Sequence, residues 1–250
     1  MSATDDHALD AHAGSYGEGF KYHDENLRML AWYAERMIAA VRRTRARSLL
    51  SLGIGHQVVI RRVLQELVPG LDQYTIVEGS PAMIARLRAD QPLPEKVTLA
   101  HSFFEEYEAP AAQDAIEMGF VLEHVEDPLL VLRRFAGFLR PGGLMVVVVP
   151  NARALHRLLG HHAGLLPDLY QLSAHDRELG HRHYFDLASL TEMAAQAGLT
   201  VRAREGVFLK CLTTSQLEQL RLPPEVVRSF FTVGTDYPEI ANAIYLETTR

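Results

Sequence analysis

Between residues 47 and 150, short apolar runs alternate with amphipathic segments, and this alternation restricts the fold more than any other feature of the chain. Ser48 to Leu52 is a strand-like run ending in Gly53-Ile54-Gly55. Val58 to Val68 follows with helical spacing (Val59, Val63, Leu67) and stops at Pro69-Gly70. Tyr74 to Val77 reads as a second strand, and Met83, Ile84 and Leu87 mark a helix starting near Pro81. Val97 to Ala100 and Ala115 to Gly119 read as the third and fourth strands. Pro128 to Leu139 is an amphipathic helix, Pro141-Gly142-Gly143 a turn, and Leu144 to Val149 a fifth strand whose valines predict burial on both faces. Strands alternating with helices predict a parallel sheet covered on both sides, joined by right-handed crossovers.

The flanking regions read differently. Asn26 to Val41 has one apolar helical face, which places an N-terminal helical cap over residues 1–46 and the main domain over 47–250. Residues 151–183 are rich in His and Leu without a clear strand, and are expected to form a lid. Asp186 caps a helix running to Ala197, with Gly198 past its end. Thr200 to Phe208 and Ala243 to Thr249 read as the last two strands. The helical segments Ser215 to Leu222 and Pro224 to Val233 form an insertion over 209–242. The apolar residues Leu217, Leu220, Val226, Val227, Phe230 and Phe231 mark that insertion as a candidate homodimer face.

Charge and composition exclude some classes. The net charge of -6 argues against a nucleic-acid partner. The longest strongly apolar run, Leu144 to Val149, is too short to span a membrane. The first twelve residues lack the basic start and apolar stretch of a secretory signal, and the lone Cys211 admits no internal disulfide, so a cytoplasmic setting is expected.

The first strand–loop–helix directs attention to a nucleotide. Gly53 and Gly55 let the backbone turn tightly and approach a ligand. Glu78 ends the next strand about 20 residues on, where a carboxylate accepts the hydroxyls of a ribose. A dinucleotide is disfavoured because Val58 stands where its fingerprint needs a third glycine, so a mononucleoside such as adenosine is expected.

Four stretches resemble the class I S-adenosylmethionine-dependent methyltransferases. They are Leu49–Gly55, Tyr74–Pro81 (YTIVEGSP), Ala115–Pro128 (AIEMGFVLEHVEDP) and Leu139–Asn151 (LRPGGLMVVVVPN), with a weaker extension to Gly198. The resemblance implies an α/β fold with a doubly wound, seven-stranded Rossmann-like sheet whose last strand is antiparallel. It also implies S-adenosylmethionine as cofactor, S-adenosylhomocysteine as product and a small-molecule acceptor, methylated on oxygen or nitrogen. By position, Gly53, Ile54 and Gly55 line the methionine and ribose parts, and Glu78, with Gly79 beside it, holds the ribose hydroxyls. Ser80 and Met83 lie near ribose and adenine, Ser102 and Phe103 flank adenine, and Met118, Gly119 and Phe120 lie under the sulfonium. Tyr16, Tyr22 and His23 belong to a cap that closes over cofactor and acceptor.

Ser51 departs from this pattern: the family usually has an acid there that helps hold the methionine ammonium group. His56-Gln57 also replaces the small residues common after the second glycine. In-line methyl transfer needs a base only if the acceptor must lose a proton, and histidine suits that near neutral pH. The candidates are His124, His23 and His183, although the context of His181 and His183 (GHRHYFD) suggests a structural turn. No metal site is expected, since His161-His162 has no carboxylate or cysteine at ligand spacing. Two other readings share the cofactor: an intramolecular cyclisation releasing methylthioadenosine, and a catalytically silent binding protein.

Overall fold

A computed structural model describes residues 22–250. Tyr16 and most of the cap's first half lie outside the described residues. Helix α1 (His23–Thr44) precedes β1 (Ser48–Leu52), α2 (Val58–Glu66), β2 (Gln73–Glu78), α3 (Pro81–Asp90), β3 (Val97–His101) and β4 (Gln113–Gly119). Then come α4 (Pro128–Phe138), β5 (Leu139–Pro150), α5 (Leu155–His162), α6 (Ala174–Glu178), α7 (Leu187–Gln196) and β6 (Thr200–Val207). The chain ends with α8 (Thr214–Leu220), α9 (Pro224–Gly234) and β7 (Ala243–Thr249).

The strands form one sheet in the order β3-β2-β1-β4-β5-β7-β6. Strands β1 to β5 run parallel, and β7 lies antiparallel between β5 and β6. Strand order reverses between β1 and β4, and the crevice at such a point is where open α/β sheets bind ligands. The alternating pleat explains why β1 and β5 read as continuous apolar runs. Leu49, Val146 and Val148 face a core under α1, α2 and α3, while Leu50, Val147 and Val149 face a second core under α4 and α7. Each fully buried Leu or Val contributes about 2 kcal/mol through apolar burial.

Local chemistry sets the ends of the elements. The Ser80 hydroxyl accepts from the Met83 N–H and Pro81 takes the first turn of α3. Asp127 does the same for α4, and Asp186 caps α7 in a reciprocal pair with Ser189. Helix α2 stops at Glu66, two residues short of the predicted end, and Val68–Gly70 tightens into a 3-10 turn around Pro69. Helix α1 extends at both ends beyond the predicted 26–41.

Pro141-Gly142-Gly143, predicted as a turn, stays in the sheet: β5 begins at Leu139, directly after α4. Gly142, at φ +74, gives its N–H to the carbonyl of Arg250, and Leu139 pairs with Gln113 across a register shift. The segment is an irregular start of a long strand, held from both sides.

Candidate active site

A cavity of about 1710 Å³ opens at the carboxyl ends of β1, β2 and β4. The glycine loop forms its floor. Gly53 (φ +80), Gly55 (φ +50) and Gln57 (φ +63) all adopt left-handed backbone, and the Gly53 N–H is tied to the Val77 carbonyl at 2.8 Å. Glu78 braces this loop. Its carboxylate accepts from the Ile54 N–H at 2.9 Å and the Ser80 N–H at 2.8 Å. Burial pushes the Glu78 carboxyl up, opposed by those backbone hydrogen bonds. The Gly79 N–H also bonds this carboxylate, and of its about four lone-pair sites one remains for a ribose hydroxyl.

Glu117 is a buried acid on the cavity wall that the sequence reading passed over. It lies beside Ser51 in the β1–β4 register, 3 % exposed, and lines the cavity. The Tyr33 hydroxyl donates to it, as does the Gly119 N–H at 2.9 Å. Tyr74 in turn gives its hydroxyl to Ser51 at 3.1 Å. Burial pushes the Glu117 carboxyl up to about 7, against the pull of the Tyr33 and Ser51 hydroxyls. Among the described residues it has no ion pair with Lys, Arg or His. An acid inside a run reading AIEMG was the available signal, since a strand buried on both faces has no other reason to carry one.

Gly119 has a steric role at the same point. A Cβ there would lie 2.4 Å from the Tyr33 ring, itself fully buried. Gly119→Ala is expected to destabilise the fold by roughly 1–3 kcal/mol, the range for overpacking. Thermal unfolding measures it, and an unchanged midpoint would show that the Tyr33–Glu117 contact moves freely.

The predicted site residues divide by placement. Gly53, Ile54, Gly55, Glu78, Gly79, Ser80, Met83, Phe103, Gly119, Phe120, Tyr22 and His124 line the cavity. Ser102 and Met118 do not. Ser102 bonds the Phe103 carbonyl, and Met118 points into the opposite core with no exposure. His183 also lies off the wall, with Nε2 3.0 Å from the Val125 carbonyl, where it braces the loop after β4. His23 packs edge-on to His56 at 5.5 Å. Burial, helped by His23 and Arg86, pushes the His56 imidazole down to about 4.

Segments distant in sequence line the outer half of the cavity. Lys210, 5 % exposed, pairs with Glu25 of α1 and donates to Thr214 at 2.8 Å, and Thr214 donates to Glu25 at 2.8 Å. Tyr22 meets Ser215 at 3.3 Å and packs edge-on against His175. Arg157 stacks on Tyr184 and donates to the Leu169 and Gln171 carbonyls. Burial, aided by Lys210 and Arg157, pushes His156 down to about 3, so it is neutral at neutral pH. The inner half of the cavity thus holds carboxylates and backbone, and the outer half is rimmed by imidazole, Lys210 and Arg157.

Spacing alone pointed to no metal-ligating group. The fold nevertheless brings ligand atoms of Glu123, His124 and His181 within 4.8 Å of one another on the cavity wall.

Comparison with known proteins agrees with this fold. A methyltransferase-domain family model matches residues 24–204. A ubiquinone biosynthesis O-methyltransferase from Aeromonas salmonicida (strain A449) is 33% identical over 103 residues, which span 40% of this chain and 41% of that protein. Among solved structures, an S-adenosylmethionine-dependent methyltransferase from Mesorhizobium loti superimposes with a TM-score of 0.58 at 17% identity, over 85% of this chain and 96% of that one. The N-methyltransferase NodS from Bradyrhizobium japonicum WM9, in complex with S-adenosylhomocysteine, gives 0.56 at 12% identity, over 93% and 89%. The cavity fits the cofactor of that family at both polar ends, with Glu78 able to take a ribose hydroxyl and Glu117 offering a buried carboxyl that no Lys, Arg or His among the described residues pairs with. With the family model spanning most of its length and the sheet in the expected order, the chain belongs to the class I S-adenosylmethionine-dependent methyltransferases.

Proposed function

We propose that this protein transfers the methyl group of S-adenosylmethionine to an oxygen or nitrogen of a small-molecule acceptor held in the outer half of the cavity. The observation that carries the proposal is the largely buried Glu25–Lys210–Thr214 cluster, which ties the start of α1 to the segment after β6 on the wall of that outer half and so gives an acceptor a defined polar pocket beside the cofactor site. The cofactor supplies an activated methyl on a sulfonium, and the protein's task is alignment and exclusion of water.

Gly53, Ile54 and Gly55 cradle the cofactor by backbone. Glu78 accepts a ribose hydroxyl, with Gly79, Ser80, Met83 and Phe103 around the sugar and base. Gly119 and Phe120 back the methionine end, and Tyr22 closes over it. Glu117 takes the ammonium group and so replaces the acid that Ser51 lacks: the charge has moved one strand sideways, from β1 to β4. Of the three candidate histidines, His124 stands on the wall and contacts the acceptor. His183 positions the loop that carries it, and His23 shapes the roof through His56.

Incubation of the purified protein with S-adenosylmethionine and a panel of phenolic, hydroxylated and amine acceptors tests this reading. S-Adenosylhomocysteine formed only in the presence of an acceptor is the expected product. Methylthioadenosine in its place would establish cyclisation through the aminopropyl chain. Cofactor binding with no product across the panel would favour a silent binding protein.

A further inference from the structure

We propose that Glu123, His124 and His181 form a binding site for one divalent transition-metal cation of the zinc class, on the wall of the acceptor chamber. Glu123 is the central observation. Its side chain is fully buried, and neither carboxylate oxygen has a hydrogen-bond partner among the described residues. A buried carboxylate without compensation is costly and is retained where something cationic meets it. Its neighbours are two imidazoles. One ligand atom from each of Glu123, His124 and His181 lies within 4.8 Å of the others, and the two rings meet edge-on with centroids 4.8 Å apart.

The surroundings hold these groups in place. The Glu123 carbonyl accepts the N–H of Arg182 at 2.7 Å and of His183 at 3.3 Å, which pins the His181 loop against the end of β4. Asp176 stands behind His181, with Oδ1 3.5 Å from Nδ1. Ser173 and Tyr184 fix Asp176 in turn, at 2.7 and 3.1 Å. A carboxylate behind one ring nitrogen is the usual partner of a metal-bound histidine, and it leaves Nε2 of His181 as the ligand. Around a tetrahedral zinc, ligand atoms at about 2.1 Å from the metal stand about 3.4 Å apart, so the three side chains need to draw in by on the order of 1 Å.

Two imidazoles and one carboxylate favour zinc and its first-row neighbours over magnesium, which prefers oxygen ligands and its own water. Three protein ligands leave coordination positions open, and all three residues line the cavity. An acceptor oxygen binding there would lose its proton more readily, a task that the cofactor does not perform.

Calorimetric titration of chelator-treated full-length protein with zinc, and separately with magnesium, tests the site without cofactor or acceptor. Its result is therefore independent of the methyltransferase reading. One zinc per chain is expected, with magnesium much weaker. His181→Ala and Glu123→Gln should each weaken zinc binding by about 100-fold, and Asp176→Asn by about tenfold. His161→Ala/His162→Ala, a pair outside the site, should leave it unchanged. Cobalt in place of zinc should give visible d–d absorption that His181→Ala abolishes. His181 lies on a half-buried loop, so that variant reads the site even where Glu123→Gln fails to fold. Substoichiometric zinc, or zinc binding that survives His181→Ala and falls with His161 and His162, would overturn the proposal.

Discussion

Glu78→Ala abolishes measurable binding of S-adenosylhomocysteine, a loss of at least about 100-fold by calorimetric titration. Two effects add. A hydrogen bond from a ribose hydroxyl to a charged carboxylate is worth about 1.5–3 kcal/mol, and a factor of ten in affinity is about 1.4 kcal/mol. The same carboxylate also holds the Ile54 and Ser80 N–H groups, so its removal loosens the glycine loop that forms the floor of the site. Glu78→Gln separates the two. It keeps one acceptor oxygen for the loop but loses the charge, and about a tenfold loss is expected. A Glu78→Ala protein that is folded and binds within about threefold of the parent would remove the end of β2 from the cofactor site.

The second large effect belongs to Glu117. Glu117→Gln weakens S-adenosylhomocysteine by about 10- to 100-fold and leaves methylthioadenosine, which lacks the amino-acid end, unchanged. Equal loss for both ligands would mean that Glu117 only shapes the floor; no loss for either would mean that the ammonium group is held elsewhere. Adding Ser51→Asp to the Gln variant returns the anion to the neighbouring strand, facing the same core, and should restore part of the affinity.

The pH dependence of stability follows from the same residue. Its carboxyl is raised from 4.5 to about 7 in the folded protein by burial. Below the unfolded value both states are protonated and there is no penalty. As pH rises through 4.5 the unfolded state loses its proton first, so stability falls until the folded group ionises near 7. The shift corresponds to a penalty on the order of 3 kcal/mol above pH 7. Glu123, also raised to about 7 by burial, contributes in the same direction. The stability of Glu117→Gln relative to the parent should therefore increase between about pH 4.5 and 7 and level off above. Denaturant unfolding across that range measures it, and a flat difference would show that Glu117 is solvated in the folded state.

Much of this protein is legible in its sequence where local chemistry decides. The spacing of Val59, Val63 and Leu67, the start at Pro81, the cap at Asp186 and the valine run of β5 each specify an element through contacts a few residues long. Gly53, Gly55 and Glu78 stand out because glycines turn the backbone tightly and the acid ends the next strand about 20 residues on, and all three meet on the cavity wall. The turn predicted at Pro141-Gly142-Gly143 failed because the partners that keep it in the sheet, Gln113 and Arg250, lie far away in sequence.

The chemistry-bearing pairs are non-local throughout, and this limits any reading of the sequence alone. Nothing near residue 51 shows that Glu117 will stand beside it, because that neighbour is chosen by the β1–β4 register. His181 joins Glu123 and His124 only when the loop after α6 folds onto the end of β4, and Lys210 meets Glu25 across 185 residues. The sequence by itself determined the alternation of elements, the class of sheet and the glycine loop and strand-end acid that line the cavity, since periodicity, capping and glycine turns act over a few bonds. Which buried acid faces which partner was decided by tertiary structure alone, because the cost of an unpaired charge is set by what the fold packs around it.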